Sequence, residues 1–170
     1  MKVIALDLFG TVFDLSQTPR EEVVAYIDHI SRAGWSPLTL PKSWEQLPAF
    51  ADSREGIERL RQKYTVVTCS NAPLGFTAQL LKNADIRFDA ITPLEMAMCF
   101  KPRKSAYLLV PQVYGVDPHE VLMVTGNERL GRNPKGDREY ATEAGLGGGL
   151  LIRNPGGAET ITQLADVLGC

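Results

Sequence analysis

Apolar positions in this chain follow two periods that alternate along its length. Compact runs of β-branched and aliphatic residues at 3–8, 65–69, 88–91, 121–124 and 150–153 read as buried strands. Between them the period lengthens. Val23, Tyr26, Ile27 and Ile30 recur at helical spacing, as do Ile57, Leu60 and the stem of Lys63. Helices are also expected over 74–81, after Lys101-Pro102 with Tyr107, Leu108, Leu109 and Val110 inside, and over 137–144 and 158–168. Strands alternating with helices over the whole length predict an α/β fold, a parallel sheet of about five strands covered on both faces.

Local signals place the boundaries. Thr18-Pro19-Arg20-Glu21 predicts a capping box with Pro at the first helical position, and the stripe it opens should end near Ala33-Gly34. That stripe is expected to pack on the core rather than meet a cofactor. Asp52-Ser53-Arg54-Glu55 and Asp117-Pro118-His119-Glu120 are two further cap signals. Pro111 should kink or shorten its helix. Residues 35–52 hold Pro37, Pro41 and Pro48, so at most one short helical turn survives there. Trp35 and Trp44 in that segment either line the opening of a site or, as is commoner for aromatic residues in such a loop, anchor it to the core. Residues 126–136 read as a polar loop, and the glycines at 147–149 as a turn before the last strand.

Size and charge narrow the options. At 170 residues the chain fits one domain, 1–170, and its 44% hydrophobic content is ordinary for a globular protein. Eighteen basic against twenty acidic residues, a formal net charge of -2, lack the footprint of a nucleic-acid binder. A small-molecule substrate is expected, with no nucleic acid and no membrane. No apolar run approaches the ~20 residues of a membrane span, and the start lacks a signal-peptide pattern, which points to a cytoplasmic protein. Cys69, Cys99 and Cys170 are odd in number and widely spaced, as free thiols would be. With two histidines in the chain, acid–base work falls to carboxylates, hydroxyls or lysine.

Asp7 stands at the C-terminal edge of the first strand, where open α/β sheets bind ligands. Asp7-Leu8-Phe9-Gly10-Thr11, Val66-Val67-Thr68-Cys69-Ser70-Asn71, Lys101-Pro102, and Val124-Thr125-Gly126-Asn127 with Asp137 follow in order. Together they resemble the four motifs of the haloacid dehalogenase superfamily, a Rossmann-like fold. The resemblance leaves residues 16–52 and 128–136 outside it. It implies that 16–52 is a reduced form of the cap that the family inserts between its first two motifs. A small cap should leave the site open, unless a partner subunit, as in a homodimer, or the 128–136 insertion covers it.

The resemblance assigns roles. Asp7 would be a nucleophile forming a covalent enzyme ester, Thr11 would orient it by hydrogen bonding, and Ser70 would hold the substrate or the nucleophile. Lys101 would balance the charge on Asp7 and the substrate, and Asp137, with Asn127, would position the hydrolytic water. Phe9 is informative, because the family's phosphatases carry there an Asp that protonates the leaving group, whereas halide leaves unprotonated. The family's 2-haloacid dehalogenases have an aromatic residue at that place, and Asn71, Tyr107 and Thr125 also resemble their substrate-side residues. Their halide-binding Arg comes from the cap, for which Arg20, Arg32 and Arg54 are candidates here. The insertion, with Arg129, Arg132 and Lys135, either folds over the mouth of the site or is a solvated loop.

Two other readings compete. A phosphohydrolase would hold Mg²⁺ through Asp7, the Phe9 carbonyl, and Asn127 or Asp137, with Glu128 as a further carboxylate. A dehalogenase would need no cofactor. A catalytically silent binding module would keep the same scaffold.

Overall fold

The structure, a computed structural model, describes residues 1–32, 34–129, 132–153 and 158–170. Five strands, β1 Val3–Leu6, β2 Thr65–Thr68, β3 Ala90–Ile91, β4 Val121–Thr125 and β5 Gly148–Leu151, form one parallel sheet in the order β3-β2-β1-β4-β5. Among the described residues six helices flank them: α1 Arg20–Ile30, α2 Ser53–Leu60, α3 Leu74–Asn83, α4 Lys104–Tyr114, α5 Asp137–Ala144 and, after β5, α6 Ile161–Val167.

The strand period of two sorts the core into layers. Ile4, Leu6 and Val66 face Ile57, Leu60, Leu80 and Leu164 of α2, α3 and α6, while Val3, Ala5 and Val67 face Tyr107, Val110 and Ala141 of α4 and α5. Burial on both faces explains why the strands read as continuous apolar runs. The strand order reverses between β1 and β4, which pair in register from Val3 with Val121 to Leu6 with Val124. This is the switch point where open α/β sheets form a crevice, and Asp7 and Asn127 leave the sheet on either side of it.

Several boundaries differ from expectation. No side chain caps α1, which starts one turn position later than the Thr18 signal placed it; Pro19 is the flanking residue and the Thr18 hydroxyl is buried without a partner. The expected end at Ala33 lies outside the described residues, and α1 stops at Ile30. Asp52 flanks α2 but does not cap it, because its carboxylate instead accepts from Ile161 N–H at 2.6 Å and from Arg153 at 2.6 Å. The third signal holds, with Asp117 and Glu120 forming a reciprocal capping box. The helix after Lys101-Pro102 begins at Lys104 and runs through Pro111 to Tyr114, losing only the one N–H that proline lacks.

The glycines at 147–149 are not a flexible turn. Gly148 and Gly149 begin β5, and a Cβ on Gly149 would lie 2.3 Å from the Arg138 carbonyl oxygen. The small size of Gly149 lets α5 lie against the strand. The 35–52 segment holds one 3₁₀ turn, Lys42–Gln46, as its prolines required. All three cysteines are free. No helix among the described residues is long and apolar enough to cross a membrane.

Candidate active site

Asp7 begins the turn that follows β1, tied to the sheet by its N–H to the Val124 carbonyl at 2.9 Å. Its side chain is only 4% exposed. Both carboxylate oxygens are engaged: Oδ1 accepts from Leu8 N–H at 2.9 Å and lies 3.2 Å from Lys101 Nζ, and Oδ2 accepts from Asn127 Nδ2 at 2.8 Å. The same Asn127 amide donates to the Phe9 carbonyl at 2.9 Å. One amide group thus bridges the two oxygens that β1 and its turn present.

Behind Asp7 lies a buried charged cluster. Lys101 Nζ donates to Asp137 Oδ2 at 2.7 Å, and the Tyr107 hydroxyl donates to Asp137 Oδ1 at 2.6 Å. Burial opposes the Lys101 charge, but Asp137 and Asp7 outweigh it and hold its pKa above the usual lysine value. Burial, with Asp7 repulsion, pushes the Asp137 carboxyl up against the pull of Lys101. Burial and Asp137 raise the Tyr107 hydroxyl, so it stays a proton donor. Burial also pushes the neighbouring Cys69 thiol up to about 12, which leaves it protonated and inert.

A cavity of about 180 Å³ opens on Asp7. Asp7, Asn71, Lys101, Asn127 and Arg129 give it a polar end, and Phe9, Leu15, Val23, Tyr26, Ile27 and Ile30 an apolar wall. The α1 stripe therefore does two jobs. Val23 and Tyr26 pack on the core, as expected, and the stripe also roofs the cavity. The Tyr26 hydroxyl donates to the Asn71 carbonyl at 3.1 Å, which fastens α1 across the site. Trp44 wedges beneath it, buried, with its ring 5.2 Å from Phe9 and its indole N–H donating to Glu22 of α1 at 2.7 Å. One helix and one tryptophan turn thus roof part of the site within the chain, and the cavity stays partly open.

The predicted residues divide into three groups. Asp7, Phe9, Asn71, Lys101 and Asn127 line the cavity. Asn71 also braces the lysine segment, its Oδ1 accepting from Lys101 N–H at 2.8 Å and its Nδ2 donating to the Lys101 carbonyl at 3.1 Å. Ser70 is buried beside them with its hydroxyl unpartnered among the described residues. Four expectations need correction. Thr11 does not bond Asp7, because its hydroxyl accepts from Gly126 N–H at 2.8 Å and ties the first turn to the fourth. Thr125 accepts from Asn127 N–H at 3.1 Å, and Tyr107 serves Asp137; neither lines the cavity. Asp137 is fully buried behind Lys101, so it reaches the cavity only through the ammonium.

Of the arginine candidates, Arg20, Arg32 and Arg54 do not line the cavity; Arg54 pairs with Asp85 at 2.6 Å. Arg129 does line it. Its loop is fastened to α1 by Arg132 Nη2, 2.7 Å from Asp28 Oδ1, while Lys135 pairs with Glu143. Leu130 and Gly131 of the expected insertion lie outside the described residues. Arg153 was not foreseen: its guanidinium donates twice to the Thr11 carbonyl, at 3.0 and 2.9 Å, and braces the turn that carries Asp7. Only its sequence distance from the motifs hid it.

The proposed magnesium ligands do not fit a metal site. Asn127 presents N–H donors, not an oxygen, to Asp7 and Phe9, and Asp137 is turned away onto Lys101 and Tyr107. Among the described residues no group of three or more His, Cys, Asp or Glu side chains is placed to hold a metal.

No protein-family model matches the chain. An (S)-2-haloacid dehalogenase of Xanthobacter autotrophicus is 30% identical over 90 residues, 52% of this chain, and the match spans about a third of that protein's length (35%). A defluorinating L-2-haloacid dehalogenase superposes with a TM-score of 0.80 at 21% identity, covering 100% of this chain and 96% of the other. The X. autotrophicus L-2-haloacid dehalogenase with chloropropionic acid covalently bound gives 0.72 at 19% identity, covering 99% and 88%. A HAD phosphatase from Thermococcus onnurineus gives 0.70 at 18%, covering 99% and 98%. This chain therefore has the α/β fold of the haloacid dehalogenase superfamily, and half of its sequence is similar to a 2-haloacid dehalogenase.

Proposed function

We propose that the protein is a hydrolase that uses Asp7 to displace halide from a small 2-haloacid without a metal ion. In this reading residues 1–170 form one core domain and 16–52 are its reduced cap. The observation that carries it is the pairing of Asp7 with Lys101 at 3.2 Å in a cavity with one apolar wall. Phe9 stands where a proton donor would serve a poor leaving group, and its ring is packed edge-on against Tyr26 and Trp44. Such a wall can give no proton, which suits an anion that needs none.

In the first step a carboxylate oxygen of Asp7 attacks the substrate C2 and the carbon–halogen bond breaks with its electron pair on the halide. An Asp7 ester forms. The ester no longer carries the Asp7 charge, and Lys101 is left paired with Asp137. In the second step water adds at the Asp7 carbonyl carbon, the 2-hydroxy acid leaves, and a proton is released. Lys101 and the Asn127 amide, already directed at the two carboxylate oxygens, are placed for the charge that develops there. Asp137 acts through Lys101, which it holds in place, and the free Ser70 hydroxyl is available to the substrate.

Against the phosphohydrolase reading, the Asn127 amide N–H is directed at the Asp7 and Phe9 oxygens that a metal would use, and α1 roofs part of the site within one chain. The experiment is halide release from 2-chloropropionate and 2-bromopropionate with chelator present, alongside phosphate release from simple esters with Mg²⁺. Halide release lost in Asp7→Asn supports the reading; phosphate release instead supports the alternative. Neither activity leaves a binding module.

A further inference from the structure

We infer that Arg129 binds the anionic group of the substrate, and that the loop between β4 and α5 supplies this contact in place of the cap. The inference deepens the hydrolytic reading and rests on it for the identity of the acid. It begins with charge. Two carboxylates, Asp7 and Asp137, face one ammonium, Lys101, whose Nζ is engaged by both at 3.2 and 2.7 Å. The buried cluster is thus formally negative by one charge, and such a cluster repels an acid.

Among the described residues, Arg129 is the one other cationic side chain that lines the cavity. Its guanidinium makes no ion pair or hydrogen bond with the described residues, and a planar guanidinium can hold a carboxylate in a bidentate pair. The loop is also held at both ends. Two residues before Arg129, Asn127 is fixed on Asp7 and Phe9; three residues after it, Arg132 is latched to Asp28 of α1. Arg129 is therefore kept at the rim between the nucleophile and the helix that roofs it. The geometry selects an acid over a neutral molecule of the same shape.

A broader positive field is the competing explanation, because Arg32, Arg103 and Arg132 line an adjoining cleft that shares Ile30 with the cavity. Calorimetric titration of propionate, an unreactive acid, into the wild type, Arg129→Gln, Arg129→Lys and Arg32→Gln separates the two. Arg129→Gln is expected to weaken propionate binding about tenfold or more, the range of a charge-assisted hydrogen bond, with an unchanged melting temperature. Arg129→Lys should recover part of the loss, and Arg32→Gln should stay within about twofold of wild type. Binding unchanged in Arg129→Gln, or lowered equally in Arg32→Gln, overturns the assignment. So does a wild type that binds propionamide as well as propionate. Halide release from 2-bromopropionate by the wild type is measured in parallel. Its absence beside Arg129-dependent propionate binding removes the reaction and leaves the anion contact standing.

Discussion

Lys101 Nζ lies 2.7 Å from Asp137 Oδ2 in a pair that solvent does not reach, Lys101 being 1% exposed and Asp137 fully buried. Two covalently remote segments, the loop before α4 and the first residue of α5, meet there to aim the ammonium at Asp7. Removing one member of a buried pair leaves an uncompensated charge. Asp137→Ala should therefore lower the unfolding free energy by about 3 kcal/mol, read from urea denaturation. Halide release should fall with it, since Lys101 would lose its orientation. A variant as stable as wild type would deny the pair its structural part.

The same cluster sets an alkaline limit. Lys101 holds its proton more tightly folded than unfolded, so its contribution is fully present below the unfolded value of about 10.4 and is lost as pH rises beyond it. Above that point the unfolded chain releases the proton first, and stability falls with pH. Denaturant midpoints measured from pH 8 to pH 11 should decline with the raised Cys69 thiol and fall more steeply above about pH 10, where Lys101 adds its share. In Lys101→Met that steeper fall should be absent.

Asn127 offers a test of metal dependence, because its amide bridges Asp7 and the Phe9 carbonyl. Asn127→Asp would set a carboxylate 2.8 Å from Asp7, and two carboxylates so close cannot both ionise unless a cation intervenes. Mg²⁺ should raise the melting temperature of Asn127→Asp and leave that of the wild type unchanged. Halide release by the variant should drop by about 100-fold, as for loss of one preorganised donor. Chelator should not alter wild-type turnover.

Phe9 joins the nucleophile turn to the roof, with ring centroids 5.5 Å from Tyr26, 5.2 Å from Trp44 and 6.3 Å from Phe76. Emptying that place in Phe9→Ala should cost about 3–4 kcal/mol by loss of buried area and a residual cavity. Phe9→Asp should be at least as unstable and should not gain phosphatase activity, because the aspartate would enter an aromatic cluster. Equilibrium urea curves and a phosphate assay check both statements.

Gly126 allows the crossing of the two motif loops. A Cβ there would fall 2.0 Å from the Gly10 carbonyl oxygen, backbone against backbone, with no side chain able to yield. Gly126→Ala should push Asn127 away from Asp7 and abolish halide release while much of the helical circular dichroism remains.

The chain by itself determined the parallel sheet, its helices and the order of the motif residues, because strand burial on both faces and helix periodicity are local properties of sequence. Asp7, Lys101 and Asn127 were legible as candidates because each follows a strand or precedes a helix in an ordered series. Other features depend on contacts across long sequence separations. Only the fold sends the Thr11 hydroxyl to Gly126 and Asp52 to α6, and hides Asp137 behind Lys101. Spacing also showed that Val23, Tyr26, Ile27 and Ile30 share one face of α1, but not that this face would roof the cavity as well as meet the core. Tertiary structure alone brought Arg153 to the site, since a hydrogen-bond partner over a hundred residues away leaves no trace in local pattern, and of the two readings open for its loop it placed Arg129 on the cavity.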